Sequence, residues 1–263
     1  MHVVARVASV MFATVLVLSP LAAAADDSIC TLDHFSRYDE LSGIWSPCVT
    51  PQKSLIAQAT YLQNASAVGG TALAAYPMLD LRTGIAPNLE LAFHAPSQLA
   101  ESGPAGIGLY PSTHLGYGLR YGIASTARFA IAAATDVLPP MSRFSPNQVQ
   151  PRYVFGFSSM YAMNSRWTLG FAGSGTSSGR VGFQRVLPSE ALTTAYSLGL
   201  GTSISTDIGN RFPARTTPQS FGDIAVDQSL GAKMRFKVGL GTTFNSALQS
   251  KAHYLASGFD LNI

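Results

Sequence analysis

Charge is what this sequence has least of. Asp, Glu, Lys and Arg make up 12% of the chain, against about 25% in soluble globular proteins, too little to clothe a water-soluble body of this size. The basic residues are scattered singly and the formal net charge is only +3, which excludes the electrostatic footprint of a nucleic-acid-binding protein. Beyond residues 1–25 no apolar run is long enough for a membrane helix. Cysteine is confined to Cys30 and Cys48. His34 is the only nearby partner a metal would find, so no metal centre and no cofactor are expected.

The N-terminus sets the compartment. Arg6 supplies a positive n-region, "VASVMFATVLVLSPLA" an apolar core broken by Ser19-Pro20, and "AAAADD" a small-residue cleavage site at Ala23 to Ala25. Residues 1–25 therefore read as a secretory signal peptide. In an exported chain an isolated cysteine pair is most simply a disulfide, so Cys30 and Cys48 are expected to pair, closing a loop worth roughly 3 kcal/mol in the chain-entropy account. Residues 26–52 form a disulfide-stapled N-terminal segment, and residues 53–263 the main domain.

Alternation is what the main domain has in quantity. Leu115, Tyr117, Leu119 and Tyr121 alternate with Gly116, Gly118, Arg120 and Gly122, and Met234, Phe236, Val238, Leu240 and Phe244 with Arg235, Lys237, Gly239, Gly241 and Thr243. The same arithmetic runs through 89–94, 153–158, 167–172 and 196–201, and no segment keeps a helical stripe. A soluble sandwich or a small lipocalin-like barrel would turn the apolar face inward, whereas an outer-membrane barrel turns it out to lipid. Three features favour the second. The opposite faces carry Gly, Ala and Ser rather than Lys and Glu, the connections alternate short and long, and the chain stops on a strand in which Leu255, Ser257, Phe259, Leu261 and Ile263 share a face.

Short turns are expected at Ile85 to Asn88, Ala124 to Thr126, Met163 to Arg166, Leu187 to Glu190 and Gly231 to Lys233. Longer loops are expected at 64–70, 97–113, 138–150, 173–179, 206–219 and 244–250. These connections predict an all-β fold, a transmembrane antiparallel up-and-down barrel of about twelve strands, or ten if segments 181–187 and 221–229 are not strands. The predicted inward face carries Asp80, Arg82, Glu90, Arg120, Arg128, Asp223, Asp227, Arg235, Lys237 and Asp260. Their mixed signs suit internal salt bridges that brace the wall, or else a polar path. Tyr121, Tyr161, Trp167 and Phe236 lie near the short turns, where an interfacial girdle would place them.

The phrases "LRTGIAPNLELAF" (81–93) and "LRYGIASTARFAI" (119–131), repeated through a signal-bearing chain that ends on a strand, resemble the meta-pathway phenol-degradation family of outer-membrane proteins. The resemblance spans roughly residues 53 to 263 and carries no catalytic signature. It implies a transmembrane barrel that admits small, often aromatic or hydrophobic, compounds. Ile263 stands where many outer-membrane barrels end in Phe or Trp, a departure in the signal read by the insertion machinery. The expected function is a channel or transporter for such compounds in the bacterial outer membrane. Its expected partners are membrane lipid, a small-molecule solute and the insertion machinery. A structural or adhesive barrel without transport is the alternative. A lipid hydrolase is more distant: the only close His and Ser are His34 with Ser36 and His94 with Ser97, neither placed to form a fixed dyad, so no enzyme is expected.

Overall fold

The computed structural model describes residues 29–30, 46–66, 72–95, 98–102, 116–138, 152–180, 183–211, 219–231, 233–244 and 250–263. The proposed signal peptide lies outside them, as does most of the segment between the cysteines. The strands are β1 (Leu55–Ser66), β2 (Ala72–Ala86), β3 (Leu89–Ala95), β4 (Gln98–Ser102), β5 (Gly116–Ser125) and β6 (Phe129–Leu138). They continue with β7 (Arg152–Ala162), β8 (Trp167–Arg180), β9 (Phe183–Gly199), β10 (Thr202–Arg211), β11 (Gln219–Ser229), β12 (Met234–Phe244) and β13 (Ser250–Asn262). All pairings are antiparallel and follow chain order, except that β4 pairs with β2 and β3 with β5; β1 pairs with both β13 and β2, so the sheet closes on itself. Because β3 and β4 pair in succession along β2, they are two pieces of one stave in a barrel of twelve.

Closure leaves no sheet edge, and the alternation then decides which side chains face where. Outward positions are large and apolar: Leu119 is 41% and Leu240 57% exposed, and Leu169, Phe155, Phe157, Phe171 and Ile224 stand out likewise. Inward positions are small or polar, among them Ala92, Ala130, Ala132, Ala195, Ala225 and Ala256, all buried. Each large outward side chain would forgo roughly 1.5–3 kcal/mol in water. Hydrocarbon around the barrel recovers it, so this is a transmembrane barrel of the outer-membrane type.

Two tight turns show why the chain reverses where it does. Pro87 and Asn88 link the Ala86–Leu89 pair, with Asn88 at φ 61°. Proline suits the first central position of a type II turn and Asn tolerates the left-handed second. The second turn corrects a sequence expectation. Leu187 to Glu190 is not a turn but part of β9, and the reversal falls at Leu200-Gly201, with positive φ at both central residues (53° and 75°) as a type I′ hairpin requires. The alternation of Tyr196, Leu198 and Leu200 runs straight into this turn and conceals it; Leu200 is 100% exposed. Pro188 is tolerated in β9 because β10 ends at Arg211, opposite Ser189. From Pro188 upward β9 has no partner on that side among the described residues, and a missing N–H is harmless there.

The expected loops at 173–179 and 206–211 are likewise strand, in β8 and β10, and residues 98–102 form β4. Segments 183–187 and 221–229 belong to strands, so the ten-strand count falls.

Candidate functional site

The two repeated phrases occupy adjacent hairpins at the short-turn end, and their shared residues build one site. Arg82 of β2, Glu90 of β3 and Arg120 of β5 all face inward and are buried. Glu90 sits opposite Gly84 on one side and Arg120 on the other, so its carboxylate lies between two guanidiniums. Arg82 donates from Nε to Glu90 Oε1 at 2.7 Å and from Nη2 to Oε2 at 2.9 Å, a two-pronged contact. Arg120 Nη1 stands 3.6 Å from Oε1.

A piece of the N-terminal segment completes the site. The Thr50 backbone N–H and its hydroxyl both donate to Glu90 Oε2 at 2.7 Å, and Arg82 Nη2 donates to the Cys48 carbonyl at 3.1 Å. Ser46, Cys48 and Thr50 are buried. The chain then runs alongside β2: Gln52 bridges to Gly84 in parallel, and Lys53 N–H donates to the Gly84 carbonyl at 3.2 Å. Glycine is needed at that approach, since a Cβ on Gly84 would collide with the carbonyls of Thr50 and Pro51. Gly122, the matching glycine of the second phrase, leaves room for Val49, whose Cγ2 would lie 3.2 Å from an added Cβ.

The Cys30–Cys48 disulfide forms, with Cα atoms 5.2 Å apart. It ties this stretch to Ile29, whose N–H donates to the Thr126 carbonyl of the β5–β6 turn at 2.8 Å. Ile29, Cys48, Ala130 and Met160 belong to one buried apolar cluster. The stapled segment is thus held at two points of the barrel's short-turn mouth.

The other sequence-predicted charges fall at several places on the wall. Arg235 of β12 is directly opposite Asp260 of β13, and Lys237 opposite Asp227 of β11. These are the cross-strand charge pairs that a mixed wall uses to neutralise itself. Asp80 faces inward two residues from Arg82, and Asp223 faces inward opposite Asp207. Arg128 does not line the lumen. It lies exposed in the three-residue turn that precedes β6, because that turn is one residue longer than the Pro87-Asn88 turn and takes the position out of the strand.

Two inward acids escaped the sequence reading. Asp207 falls within the expected loop 206–219 but lies in β10, and Asp136 stands at the end of an Ala130-Ala132-Ala134 series that reads as apolar. Its carboxylate lies across Gly118, where a Cβ would collide with it. Alternation counted strictly from Phe129 finds Asp136; only the correct hairpin register finds Asp207.

Outside the lumen, Tyr121, Tyr161, Trp167 and Phe236 all sit on outward positions near the short turns. Trp167 packs on Tyr196 with ring centroids 4.7 Å apart, and Phe236 on Phe259 at 4.8 Å. Arg166 in the β7–β8 turn donates to Tyr196 Oη at 3.3 Å, one polar tip meeting another at the level where headgroups begin. His34, Ser36 and Ser97 lie outside the described residues. Among the described residues no group of three His, Cys, Asp or Glu is set to hold a metal.

No protein-family model matches the chain, and no curated protein matches it. Solved structures do. The chain is similar to the COG4313 outer membrane channel from Pseudomonas putida F1, with a TM-score of 0.58 and 14% identity over 82% of this chain and 97% of that one. It is similar to NanC porin at 0.54 and 6%, over 77% and 98%, and to KdgM porin at 0.51 and 10%, over 78% and 98%. At these identities the likeness is one of fold: three barrels named as channel or porin share this chain's architecture.

Proposed function

We propose that this chain is an outer-membrane channel for small solutes, with its short-turn mouth narrowed by its own N-terminal segment. The observation that carries the reading is the inverted sidedness, an apolar exterior around a wall holding Arg82, Glu90, Arg120, Asp136, Asp207 and Lys237. Buried charges are expensive to maintain, and a barrel serving only as a scaffold would be filled more stably with apolar side chains. Twelve staves enclose more room than the eight that side chains alone fill. The fold shared with a channel and two porins supports the same reading.

For the solute, the resemblance to the phenol-degradation family supports small aromatic or hydrophobic compounds. The KdgM barrel was solved in complex with oligogalacturonate.

A second reading, a barrel without transport, has one observation in its favour: inward residues as small as Ala132, Ala195 and Ala256 are shut off from solvent. Planar-bilayer recordings of refolded protein, paired with uptake of phenol by cells carrying or lacking the barrel, separate the two. Discrete openings or barrel-dependent uptake support the channel. Intact insertion with neither supports the scaffold.

A further inference from the structure

The exposed charges in the short turns share one sign. Arg128 precedes β6, Arg166 closes the β7–β8 turn and Lys233 lies in the turn before β12, all exposed. No Asp or Glu occupies residues 126–128, 163–166, 200–201 or 230–233. The two arginines stand near each other. Ala162 N–H donates to the Arg128 carbonyl and Ser197 N–H to the Arg166 carbonyl, both at 2.8 Å, so each arginine extends the ladder of its own strand, β6 and β8. Two staves separate them, roughly 10 Å at ordinary strand spacing.

A ledge of rings runs along the outward face of the same staves. Phe129 and Tyr161 are register partners on β6 and β7, and Trp167 and Tyr196 on β8 and β9. Phe129 is 36%, Trp167 44% and Tyr161 47% exposed, which suits rings placed where hydrocarbon gives way to headgroups. Arg166 Nη1 donates to Tyr196 Oη at 3.3 Å, and Tyr196 packs on Trp167, so this guanidinium is held beside the ledge. The contact uses one of the five N–H donors of its fork. Neither arginine forms an ion pair among the described residues.

A planar guanidinium fork matches the oxygens of a phosphate, and rings at the membrane surface seat the glycerol and first acyl carbons beneath it. Short turns of such barrels face the periplasm, where the adjoining leaflet is phospholipid. We infer that the outer surface of staves β6–β9 is a binding site for an anionic phospholipid of that leaflet, its phosphate held by Arg128 and Arg166 and its glycerol end seated on Tyr161 and Trp167. The site needs only the barrel and its sidedness, so it stands whether or not the barrel conducts.

Native mass spectrometry of the refolded barrel in detergent tests it, by titration with phosphatidylglycerol and with phosphatidylcholine of the same acyl chains. The wild type should bind phosphatidylglycerol roughly tenfold more tightly or better, since each basic residue at a charged membrane surface contributes about fivefold. R128Q/R166Q should lose most of that preference. K233Q, which removes one positive charge from another part of the rim, should keep it. W167A should weaken retention severalfold, and an excess of soluble glycerol phosphate should leave the lipid in place. The heat-modifiable gel shift confirms that each variant is folded. If R128Q/R166Q does not refold, R166K, which keeps the charge and loses the planar fork, should cost severalfold in its place.

Equal retention of the two lipids by the wild type would overturn the proposal, and so would an arginine variant that binds phosphatidylglycerol as the wild type does. A loss in K233Q as large as that in R128Q/R166Q would mean a diffuse field around the whole rim and no site. Full retention by W167A, or displacement of the lipid by glycerol phosphate, would leave an anion site without a lipid surface and count equally against it.

Discussion

Glu90→Ala is the most informative single change. The wild-type carboxylate accepts from Arg82 Nε and Nη2 and from the Thr50 amide and hydroxyl, and stands 3.6 Å from Arg120 Nη1. Alanine leaves two guanidiniums on one buried wall with no anion between them and strands the two Thr50 donors. Removing one member of a buried ion pair costs about 3–5 kcal/mol, most of it for the charge left behind. The penalty should fall on both the barrel and the docked segment. Urea unfolding of protein refolded into short-chain lipid vesicles, followed by the heat-modifiable gel shift, would measure the first. Protease cleavage within 46–54 would measure the second. Glu90→Gln should cost less, because its amide oxygen still accepts. Arg82→Ala in the Glu90→Ala background should cost less than Arg82→Ala alone, since the pair is coupled. A Glu90→Ala protein within about 0.5 kcal/mol of wild type, as expected for a surface change, would refute the view that this carboxylate organises the mouth.

Cys30→Ser/Cys48→Ser should leave a folded, heat-modifiable barrel while freeing the Ile29 end of the segment; the loss is about 3 kcal/mol of segment docking, read as faster proteolysis between residues 29 and 54. Gly84→Val should displace Thr50 and Pro51, whose carbonyls occupy the space, at about 1–3 kcal/mol of overpacking, whereas Gly231→Ala, with nothing within 4 Å, should show only the smaller penalty of its positive φ; equal effects on segment protection would count against the cradle. Leu119→Arg should lower barrel stability by about 2–4 kcal/mol in lipid, measured by urea unfolding, while Ala132→Ser on the inner face should be nearly neutral; the reverse order would invert the sidedness. Thr50→Val removes one of the three hydrogen bonds that join the segment to Glu90 and Arg82 and should raise channel open probability about tenfold, the equivalent of about 1.4 kcal/mol, in single-channel records.

The barrel was legible because its evidence is periodic. Leu119, Leu169 and Leu240 alternate with glycine, alanine and charge in a way that neither a helix nor a soluble sheet would reward, so fold and sidedness follow from pattern alone. Turn positions were legible where chemistry marked them, as at Pro87-Asn88, and illegible where pattern overrode chemistry. Leu200 continues an apolar alternation through a reversal made by backbone geometry, and Asp207 falls in an expected loop although it lies on the wall. The Glu90 site was half legible. Each of its charges has inward parity, but that Arg82 and Arg120 share Glu90 depends on the β3–β5 register, and that Thr50 joins them depends on a tertiary contact across 40 residues. The repeat itself held more than it disclosed. Arg82 and Arg120, and Gly84 and Gly122, are among its common residues; Arg82, Gly84 and Gly122 meet the N-terminal segment, and Arg120 stands beside Glu90. Glu90 and Arg128 occupy equivalent places in the two phrases, yet one extra turn residue puts Glu90 on the wall and Arg128 in solvent.

On the channel reading, that division of labour gives a mouth narrowed by its own chain a way to widen. The three hydrogen bonds that join the segment to Glu90 and Arg82, two from Thr50 and one to the Cys48 carbonyl, are worth about 1.5–3 kcal/mol each where a charged group takes part. Releasing them leaves Glu90 still bound to Arg82 and beside Arg120, so no charge on the wall loses its partner, and the penalty stays at several kcal/mol instead of rising to that of an orphaned buried ion. A segment held in this way stays docked by default, and a channel solute would shift it only by binding the undocked arrangement more tightly by the same amount. The disulfide would limit any such travel: with Cys48 tied to Cys30, and Ile29 held at Thr126, a released stretch stays at the mouth, where it can dock again.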